Sequence, residues 1–363
     1  MSQGLLFETL EQISELNGAI MESVRVRQRK LAKPEDSLGR LEVLSAQLAG
    51  ITGTLRPALS PRTVIVCASD HGVTTEGVSV YPQEVTRQMV HNFLAGGGAI
   101  NVLARQFGLK MIIVDVGVAA ELPMHMQLRS LKVRPGTQNF LHEPAMSRSE
   151  AIAAIEAGIH VAKAEIESGA RLLVAGEIGI GGTTPSAAIA SVLTGLSAQE
   201  VTGPGTGLGL MGWRRKCQVI EEAIDLHQPD PRDALDILSK VGGLEIGAIA
   251  GVVLAAAAAH IPVVIDSIVS TAGAAIACVM APQSKHVMFA GHTCTTEPGH
   301  RALLSFLELT PILDLGIRIG EGVGAVLAIP VLETAVSTLN EMATYKEAGI
   351  SYRLDANEES MGY

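Results

Sequence analysis

The sequence predicts an α/β fold in which helices cover both faces of a Rossmann-like parallel sheet. Short runs rich in β-branched residues alternate along the chain with Ala-rich segments at helical spacing. These runs are apolar throughout rather than alternately apolar and polar, which is typical of strands buried on both faces. Five runs carry this pattern: residues 63–66, 111–114, 172–174, 262–265 and 287–289.

The two ends of the chain have a different, purely helical pattern. Apolar residues recur at helical spacing from Leu5 to Leu16, and Ser37 can cap the helix that follows the break at residues 33–36. The chain becomes helical again from Pro311. We therefore expect residues 1–55 and 305–363 to form a small helical domain beside a large α/β domain of residues 56–304.

Composition excludes several classes of protein. Of 363 residues, 47% are hydrophobic, and the formal net charge is −10, so the chain is neither disordered nor suited to binding nucleic acid. The four cysteines form no CxxC pair, and the N-terminus lacks a basic segment followed by an apolar one. The most apolar stretch, residues 246–259, is too short to span a membrane and predicts a buried helix. We expect a cytoplasmic protein with no membrane span.

A polar residue follows each predicted strand. Ligands of open parallel sheets bind outside the carboxyl ends of the strands, so polar groups gathered there predict an active-site edge. Any one of them alone could be a helix cap. The groups are Asp70-His71, Asp115, Glu177, Asp266 and His292.

Two glycine-rich loops are candidate anion sites. Residues 176–184 lie between a strand and a helix, where glycine N–H groups and a helix N-terminus favour a phosphate or carboxylate, although a tight turn is the alternative. In the second loop, residues 207–212 match GxGxxG, but no apolar strand precedes them, which weakens a dinucleotide interpretation. Lys216 follows within two helical turns and could reach an anion; alone, it would be interpreted as a solvated lysine.

A third segment, residues 313–324, places Glu321 between glycines and apolar neighbours. Partial burial would raise the pKa of this carboxyl group and make it a better base near neutral pH, although a helix-capping role is the alternative. HExxH and GxSxG motifs are absent, so neither a metal site nor a hydrolase nucleophile is expected.

Taken together, seven stretches resemble the nicotinate-nucleotide–dimethylbenzimidazole phosphoribosyltransferase family, which activates the lower ligand of cobamides. They include DHGV at 70–73 and EPGH at 297–300, and they run in the family's order over nearly the whole chain. The stretches are residues 33–42, 70–79, 176–184, 203–208, 241–246, 291–300 and 313–324.

The resemblance implies a reaction and roles for particular residues. Family members transfer phosphoribose from nicotinate mononucleotide to an aromatic acceptor, with inversion at the anomeric carbon and no cofactor or metal. Glu321 matches the family's general base, and Glu177 matches a second essential carboxylate near the ribose. The expected donor-binding residues are Gly179, Gly181, Gly182, Thr183, Gly205, Lys216, Asp266 and Cys294. The expected acceptor-binding residues are Tyr81, Met89, Ile178 and Ile319.

Several positions depart from the family's pattern. Gly182, Pro204, Gly209 and Cys294 stand where relatives usually have Asn, Arg, Asp and often Ser, all near the expected donor site. Tyr81, Val85 and Met89 are four residues apart and would share one helical face. Because relatives that use benzimidazole tend to have small or polar residues at 81 and 89, we expect a smaller acceptor such as phenol or p-cresol, unless both residues are ordinary packing groups.

Other functions remain possible at this stage. A phosphoribosyltransferase using phosphoribosyl pyrophosphate would need paired acids after an apolar run, and Asp266 is single. A nicotinamide-dependent oxidoreductase is weakened by the misplaced GxGxxG. Family members are dimers, so the chain would form a homodimer or a heterodimer with a paralogue, and the donor-site departures also suit a weakly active subunit of such a heterodimer.

Overall fold

A computed structural model describes residues 4–294 and 296–351. Its six strands form one all-parallel sheet in the order β3-β2-β1-β4-β5-β6, the strand order of Rossmann-type doubly wound folds. The strands are β1 (Arg62–Ser69), β2 (Lys110–Gly117), β3 (Leu128–Ser130), β4 (Leu172–Ile178), β5 (Val263–Ile265) and β6 (Met288–Ala290). The α/β, Rossmann-like fold expected from the sequence is confirmed.

Fifteen helices are described around this sheet. They are α1 (Leu5–Glu11), α2 (Gly18–Lys30), α3 (Arg40–Thr52), α4 (Val85–Leu94), α5 (Ala99–Gln106), α6 (Arg148–Glu167), α7 (Thr183–Thr194), α8 (Ala198–Val201), α9 (Leu210–His227), α10 (Ala234–Val241), α11 (Leu244–Ala258), α12 (Ile268–Met280), α13 (Pro298–Phe306), α14 (Val323–Glu341) and α15 (Tyr345–Ala348). Short 3-10 helices cover Gly72–Glu76 and Pro282–Val287.

All five predicted strands are present, and β3 is an additional strand at the sheet edge. β1 lies at the centre, pairing Thr63 with Lys110 on β2 and with Leu173 on β4. Residues 64–69 of β1 are all buried, which explains the continuous apolar run. β3 has only three residues, none of them buried, so it lacks the pattern that marked the others.

Two groups of helices cover the two faces of the sheet. Helices α6, α11 and α12 pack on one face, whereas α4, α5 and α14 pack on the other. Helix α11 is the apolar Ala-rich helix expected from residues 246–259, and its residues 244–257 are buried. It packs closely against α6, which the absence of a side chain at Gly158 and Gly251 makes possible. A Cβ atom at either position would collide with a backbone carbonyl of the facing helix.

The terminal helices form a separate apolar cluster. Val24 of α2, Ala46 and Ala49 of α3, and Leu339 of α14 are buried against one another, and Arg27 Nε donates to the Leu339 carbonyl at 2.9 Å. Helix α1 instead packs against α6 and α11. The division into a helical domain of residues 1–55 and 305–363 and an α/β domain of residues 56–304 stays a prediction; residues 1–3 and 352–363 lie outside the described structure.

Helix α14 is long and apolar enough to cross a membrane by composition. A buried core helix passes the same test, and α14 packs against α3, α5 and β4 within the fold. Its apolar character therefore serves the packing of the core and does not indicate a membrane protein.

The close contact between α6 and α11 gives a test of the fold. We expect Gly251→Ala to lower the free energy of unfolding by about 2 kcal/mol or more, because the added methyl group would collide with the Ile155 carbonyl in a packed interface. Gly18→Ala is the matched control, since a Cβ atom there meets nothing within 4 Å. Urea unfolding of both variants measures the difference, and equal stability would contradict the packing described.

Candidate active site

A cavity of about 180 Å³ opens at the carboxyl ends of the strands. Glu177 at the end of β4, Asp266 after β5 and His292 after β6 all line it. The segment 317–321 closes the opposite side. Three of the five polar strand ends thus meet at one site, as expected for the ligand-binding edge of a parallel sheet.

The polar groups after β1 and β2 have a different role. Asp70 Oδ2 accepts from the Ala119 N–H at 2.8 Å, and Asp115 Oδ1 accepts from the Val118 N–H at 2.9 Å. Neither side chain lines the cavity. The prediction of one site shared by all five strand ends was wrong for these two, because both carboxylates fasten the loop that follows β2.

Glu177 is a buried carboxylate whose Oε1 accepts a hydrogen bond from Ser267 Oγ at 3.0 Å. Burial raises the pKa of Glu177 to about 7; the Ser267 hydroxyl opposes the rise, and the charges of Glu245, Glu321 and Asp266 add to it. A carboxyl group of this kind changes its charge near neutral pH, which is unusual for a structural residue.

Asp266 is similarly buried, and its Oδ2 accepts from the Gly324 N–H at 2.9 Å. Burial raises the pKa of Asp266 to about 7, against the opposing N–H groups of Gly324 and Ala325. A Cβ atom at position 324 would collide with the Asp266 carboxylate. Glycine is therefore required for the backbone of α14 to reach this side chain.

Glu321 enters the site from the segment just before α14. It is 3% exposed and has φ +65°, a left-handed conformation that non-glycine residues seldom adopt. Its carbonyl packs so closely on β4 that a Cβ atom at Gly176 would collide with it. Burial raises the pKa of Glu321, opposed by the Ile100 N–H, which donates to Oε2 at 3.4 Å. Strained backbone of this kind is concentrated at functional sites.

His292 fixes the segment that carries Glu321. Its Nε2 accepts from the Leu315 N–H at 3.0 Å, and burial lowers the pKa of its imidazole. Residues 292 and 313 also form a parallel backbone bridge. The end of β6 is thereby joined to the segment that supplies the candidate base.

The first glycine-rich loop forms the floor of the cavity. Gly179, Gly181, Gly182 and Thr183 all line it, and Gly182 N–H donates to the Gly179 carbonyl at 3.0 Å. Gly181 has φ +90° and lies where a Cβ atom would come within 2.7 Å of Thr74. Helix α7 begins at Thr183, so its N-terminal end faces the cavity, as an anion site requires.

The second loop brings Gly205 and Thr206 to the same cavity. Lys216 does not line it: the side chain is fully buried behind Thr183, and Nζ donates to Thr183 Oγ1 at 2.7 Å. Burial lowers the pKa of Lys216, and the nearby Glu297 opposes that effect. The loop follows α8 rather than a strand, so the GxGxxG match at 207–212 lacks the context of a dinucleotide site.

Only two of the four candidate acceptor-binding residues line the cavity in this structure. Ile178 and Ile319 line the cavity, whereas Tyr81 and Met89 are not among the lining residues. Tyr81 is 50% exposed and lies before α4, which begins at Val85, so the three residues do not share one helical face. Val78 and Ser79 of the same loop do reach the cavity.

Two further acidic groups contribute to the site although their roles were not predicted. Glu245 is fully buried beneath the first glycine loop, where its Oε1 lies 3.0 Å from His71 Nε2. Burial alone would lower the pKa of His71, but Glu245 outweighs it and raises the pKa. Glu297 lines the cavity beside Cys294, and its Oε1 accepts from the Gly205 N–H at 2.7 Å. The sequence alone did not reveal these roles, because Glu245 and Glu297 each contact a residue that is distant along the chain.

Among the described residues, no group of three or more His, Cys, Asp or Glu side chains is arranged to hold a metal ion. Buried carboxylates with raised pKa values, gathered at the ligand-binding edge of a Rossmann-like sheet, are typical of an enzyme. Glycine-rich backbone and a helix N-terminus on the same cavity indicate that part of its substrate is anionic.

Comparison with known proteins identifies the family. The family model described as Phosphoribosyltransferase (DBI_PRT) matches residues 13–350, and the chain belongs to this family of enzymes. Nicotinate-nucleotide–dimethylbenzimidazole phosphoribosyltransferases of Roseiflexus castenholzii and Chloroflexus aggregans are 52% and 53% identical over 97% of this chain and 99% of theirs. The crystal structure of CobT from Thermus thermophilus superposes with a TM-score of 0.89 at 46% identity, covering 92% of this chain and 100% of that one.

The buried charge of Asp266 gives a test of the site's electrostatics. Because folding raises the pKa of Asp266 from 3.8 to about 7, the native protein binds a proton between these values that the unfolded chain has lost. The contribution of Asp266 to the stability of the wild type therefore falls as the pH rises through this range. Asp266→Asn removes that loss, so its stability relative to wild type should rise by about 1.4 kcal/mol or more between pH 5 and pH 8.

Urea unfolding at both pH values measures this change. Asp225→Asn, on the exposed side of α9, is the control and should show the same difference from wild type at pH 5 and pH 8. A pH-independent effect of Asp266→Asn would show that Asp266 is not a neutral, buried acid in the folded protein.

Proposed function

We propose that this protein transfers the phosphoribosyl group of nicotinate mononucleotide to an aromatic acceptor, giving an α-riboside phosphate and nicotinate for cobamide synthesis. The observation that carries the proposal is the meeting of Glu321 and Glu177, both buried and both with raised pKa, in one cavity beside two glycine-rich loops. The two relatives from Roseiflexus castenholzii and Chloroflexus aggregans are named for the same donor and for dimethylbenzimidazole as acceptor.

In the proposed reaction, Glu321 is the general base. A nitrogen or oxygen atom of the acceptor forms a bond to the anomeric carbon, while the bond from that carbon to the pyridinium nitrogen breaks. The electron pair of the broken bond neutralises nicotinate's ring nitrogen, so the leaving group needs no acid. The acceptor's proton passes to Glu321, whose burial makes it a stronger base than an exposed carboxylate.

Glu177 would stabilise the sugar. Positive charge develops on the ribose ring as the glycosidic bond breaks, and an ionised carboxylate in a water-poor cavity stabilises such charge. The hydrogen bond from Ser267 fixes the orientation of this side chain. Asp266, on the neighbouring strand end, would complete the donor pocket.

The donor's phosphate would lie on the glycine-rich loops. Gly179, Gly181, Gly182, Thr183, Gly205 and Cys294 line this part of the cavity, with the N-terminus of α7 directed at it. Lys216 would act from behind, through its hydrogen bond to Thr183 Oγ1. The departures at Gly182, Pro204, Gly209 and Cys294 lie in or beside this region.

The acceptor would enter between Ile178 and Ile319, beside the loop of residues 78–81. This part of the cavity is apolar, and an aromatic ring fits such surroundings. We propose a phenolic acceptor such as phenol or p-cresol. Tyr81 and Met89 lie outside the cavity lining, but they stand where relatives that use benzimidazole tend to have small or polar residues.

We further propose a cytoplasmic protein that works as a homodimer. Its four cysteines are free thiols, which suits a reducing compartment. The alternative is a weakly active subunit paired with a paralogue, which the donor-site departures favour and the presence of both carboxylates opposes. Nicotinate release by the protein purified alone would exclude an obligatory partner.

The role of Glu321 has a direct test. We expect Glu321→Gln to lower kcat by about 10²- to 10⁴-fold, the usual contribution of a general base, with a donor KM within a few-fold of wild type. Nicotinate release from nicotinate mononucleotide, with dimethylbenzimidazole or p-cresol, is the assay. Glu341→Gln, at an exposed position at the end of α14, should keep full activity. Undiminished turnover by Glu321→Gln would exclude this residue as the base.

The choice of acceptor is tested by competition. With both acceptors present, we expect p-cresol to give more riboside than dimethylbenzimidazole. Product analysis by chromatography separates the O- and N-glycosides; a large excess of the dimethylbenzimidazole product would refute the phenolic proposal.

A further inference from the structure

Glu297 occupies the part of the cavity that an anionic group of the substrate would need. Its Oε1 accepts the Gly205 N–H at 2.7 Å, which is a short, charge-assisted geometry. Gly203 packs against the same carboxylate, and a Cβ atom at position 203 would lie 2.5 Å from its Cδ. A carboxylate bound to glycine N–H groups has the same chemistry as a bound phosphate.

The hydrogen bonds and positive charge near the Glu297 carboxylate do not fully offset the cost of burying it. Glu297 is 6% exposed, and its Oε2 makes no hydrogen bond of normal geometry with a described residue. The Gly203 N–H is nevertheless near enough to oppose the rise in the pKa of Glu297. The nearby cation is Lys216, whose Nζ is engaged with Thr183 Oγ1. A buried carboxylate with a free oxygen is costly in its ionised form.

The carboxyl groups around the cavity oppose the binding of a phosphate when they are ionised, whereas the glycine N–H groups favour it. Ionisable groups reach the cavity from every side: Glu297, His292 and Cys294 from the segment after β6, Glu177 and Asp266 from the strand ends, and Arg318 and Glu321 from the segment before α14. Two buried residues lie beside Glu297: Lys216 of α9, whose charge opposes the rise in the pKa of Glu297, and His300 of α13, whose backbone N–H donates to the Glu297 carbonyl at 2.9 Å. Four carboxyl groups lie around Arg318 and Lys216, and each of them that is ionised repels a doubly charged phosphate.

We infer that Glu297 is an internal competitor for the phosphate subsite, and that donor binding displaces its carboxylate from the Gly205 N–H. This inference rests on the proposed function, since it takes the glycine-rich loops to be the phosphate site. It assigns Glu297 a role in donor affinity that neither its position in EPGH nor its place at the start of α13 would indicate.

Displacement has a consequence for protons. A carboxylate that loses its N–H partner beside an incoming phosphate is stabilised by taking up a proton, and burial already raises the pKa of Glu297. Donor binding should therefore be accompanied by proton uptake wherever Glu297 is ionised in the free protein, and donor affinity should weaken as the pH rises.

The test compares Glu297→Gln with wild type by titration calorimetry, using nicotinate mononucleotide and, separately, inorganic phosphate. We expect the variant to bind both at least about fivefold more tightly than wild type at pH 8, with the ratio approaching one at pH 5.5, because protonation removes the competitor in wild type. Glu222→Gln, an exposed residue of α9, is the control and should bind as wild type does. A merely structural role for Glu297 predicts weaker binding instead.

A second measurement needs no variant. Wild-type titrations at one pH in buffers of different ionisation enthalpy report the protons taken up on donor binding. Binding without proton uptake, or equal or weaker binding by Glu297→Gln at pH 8, would overturn this inference even if turnover is normal. Absence of both donor binding and nicotinate release in the wild type would instead overturn the proposed function.

Discussion

The close packing of the turn at residues 320–324 on the ends of β4 and β5 is the constraint on which the site depends. Four glycines make it possible: a Cβ atom at Gly176 would collide with the Glu321 backbone, one at Gly320 with Glu177, and one at Gly324 with Asp266, while Gly322 adopts φ +91°. The left-handed backbone at Glu321 follows from the same turn. A carboxylate from the C-terminal part of the chain is thereby held against two others that belong to the sheet.

This packing explains the electrostatics of the cavity. Burial raises the pKa values of Glu177 and Asp266 towards neutrality, and at Glu177 the charges of neighbouring carboxylates add to the rise. A site made in this way holds protons that can be exchanged during binding and catalysis. The buried pair of His71 and Glu245 lies directly under Gly179 and Gly182 of the first glycine-rich loop. This pair therefore supports the loop from below.

Much of the fold could be predicted because burial on both faces leaves a continuous apolar run, as in β1 and β4. The strand β3 could not, since its three residues, none of them buried, carry no such pattern. Glu177, Asp266 and the glycine loops were found because they lie at strand ends or in loops of distinctive composition. The contact between Gly205 and Glu297 spans 92 residues, and that between His71 and Glu245 joins separate elements, so no local pattern reveals either. The four-residue spacing of Tyr81, Val85 and Met89 predicts a shared helical face, but α4 begins only at Val85, after Pro82.

The separation of the acids along the chain affects how the protein is made on the ribosome. All six strands and their Glu177 and Asp266 termini have been synthesised once residue 290 emerges, whereas Glu321 and the helix behind it follow later. A nascent chain can therefore assemble its sheet while still lacking the third carboxylate. Competence for chemistry therefore requires a segment that is synthesised after the whole sheet, namely the turn at residues 320–324 and the helix α14 behind it.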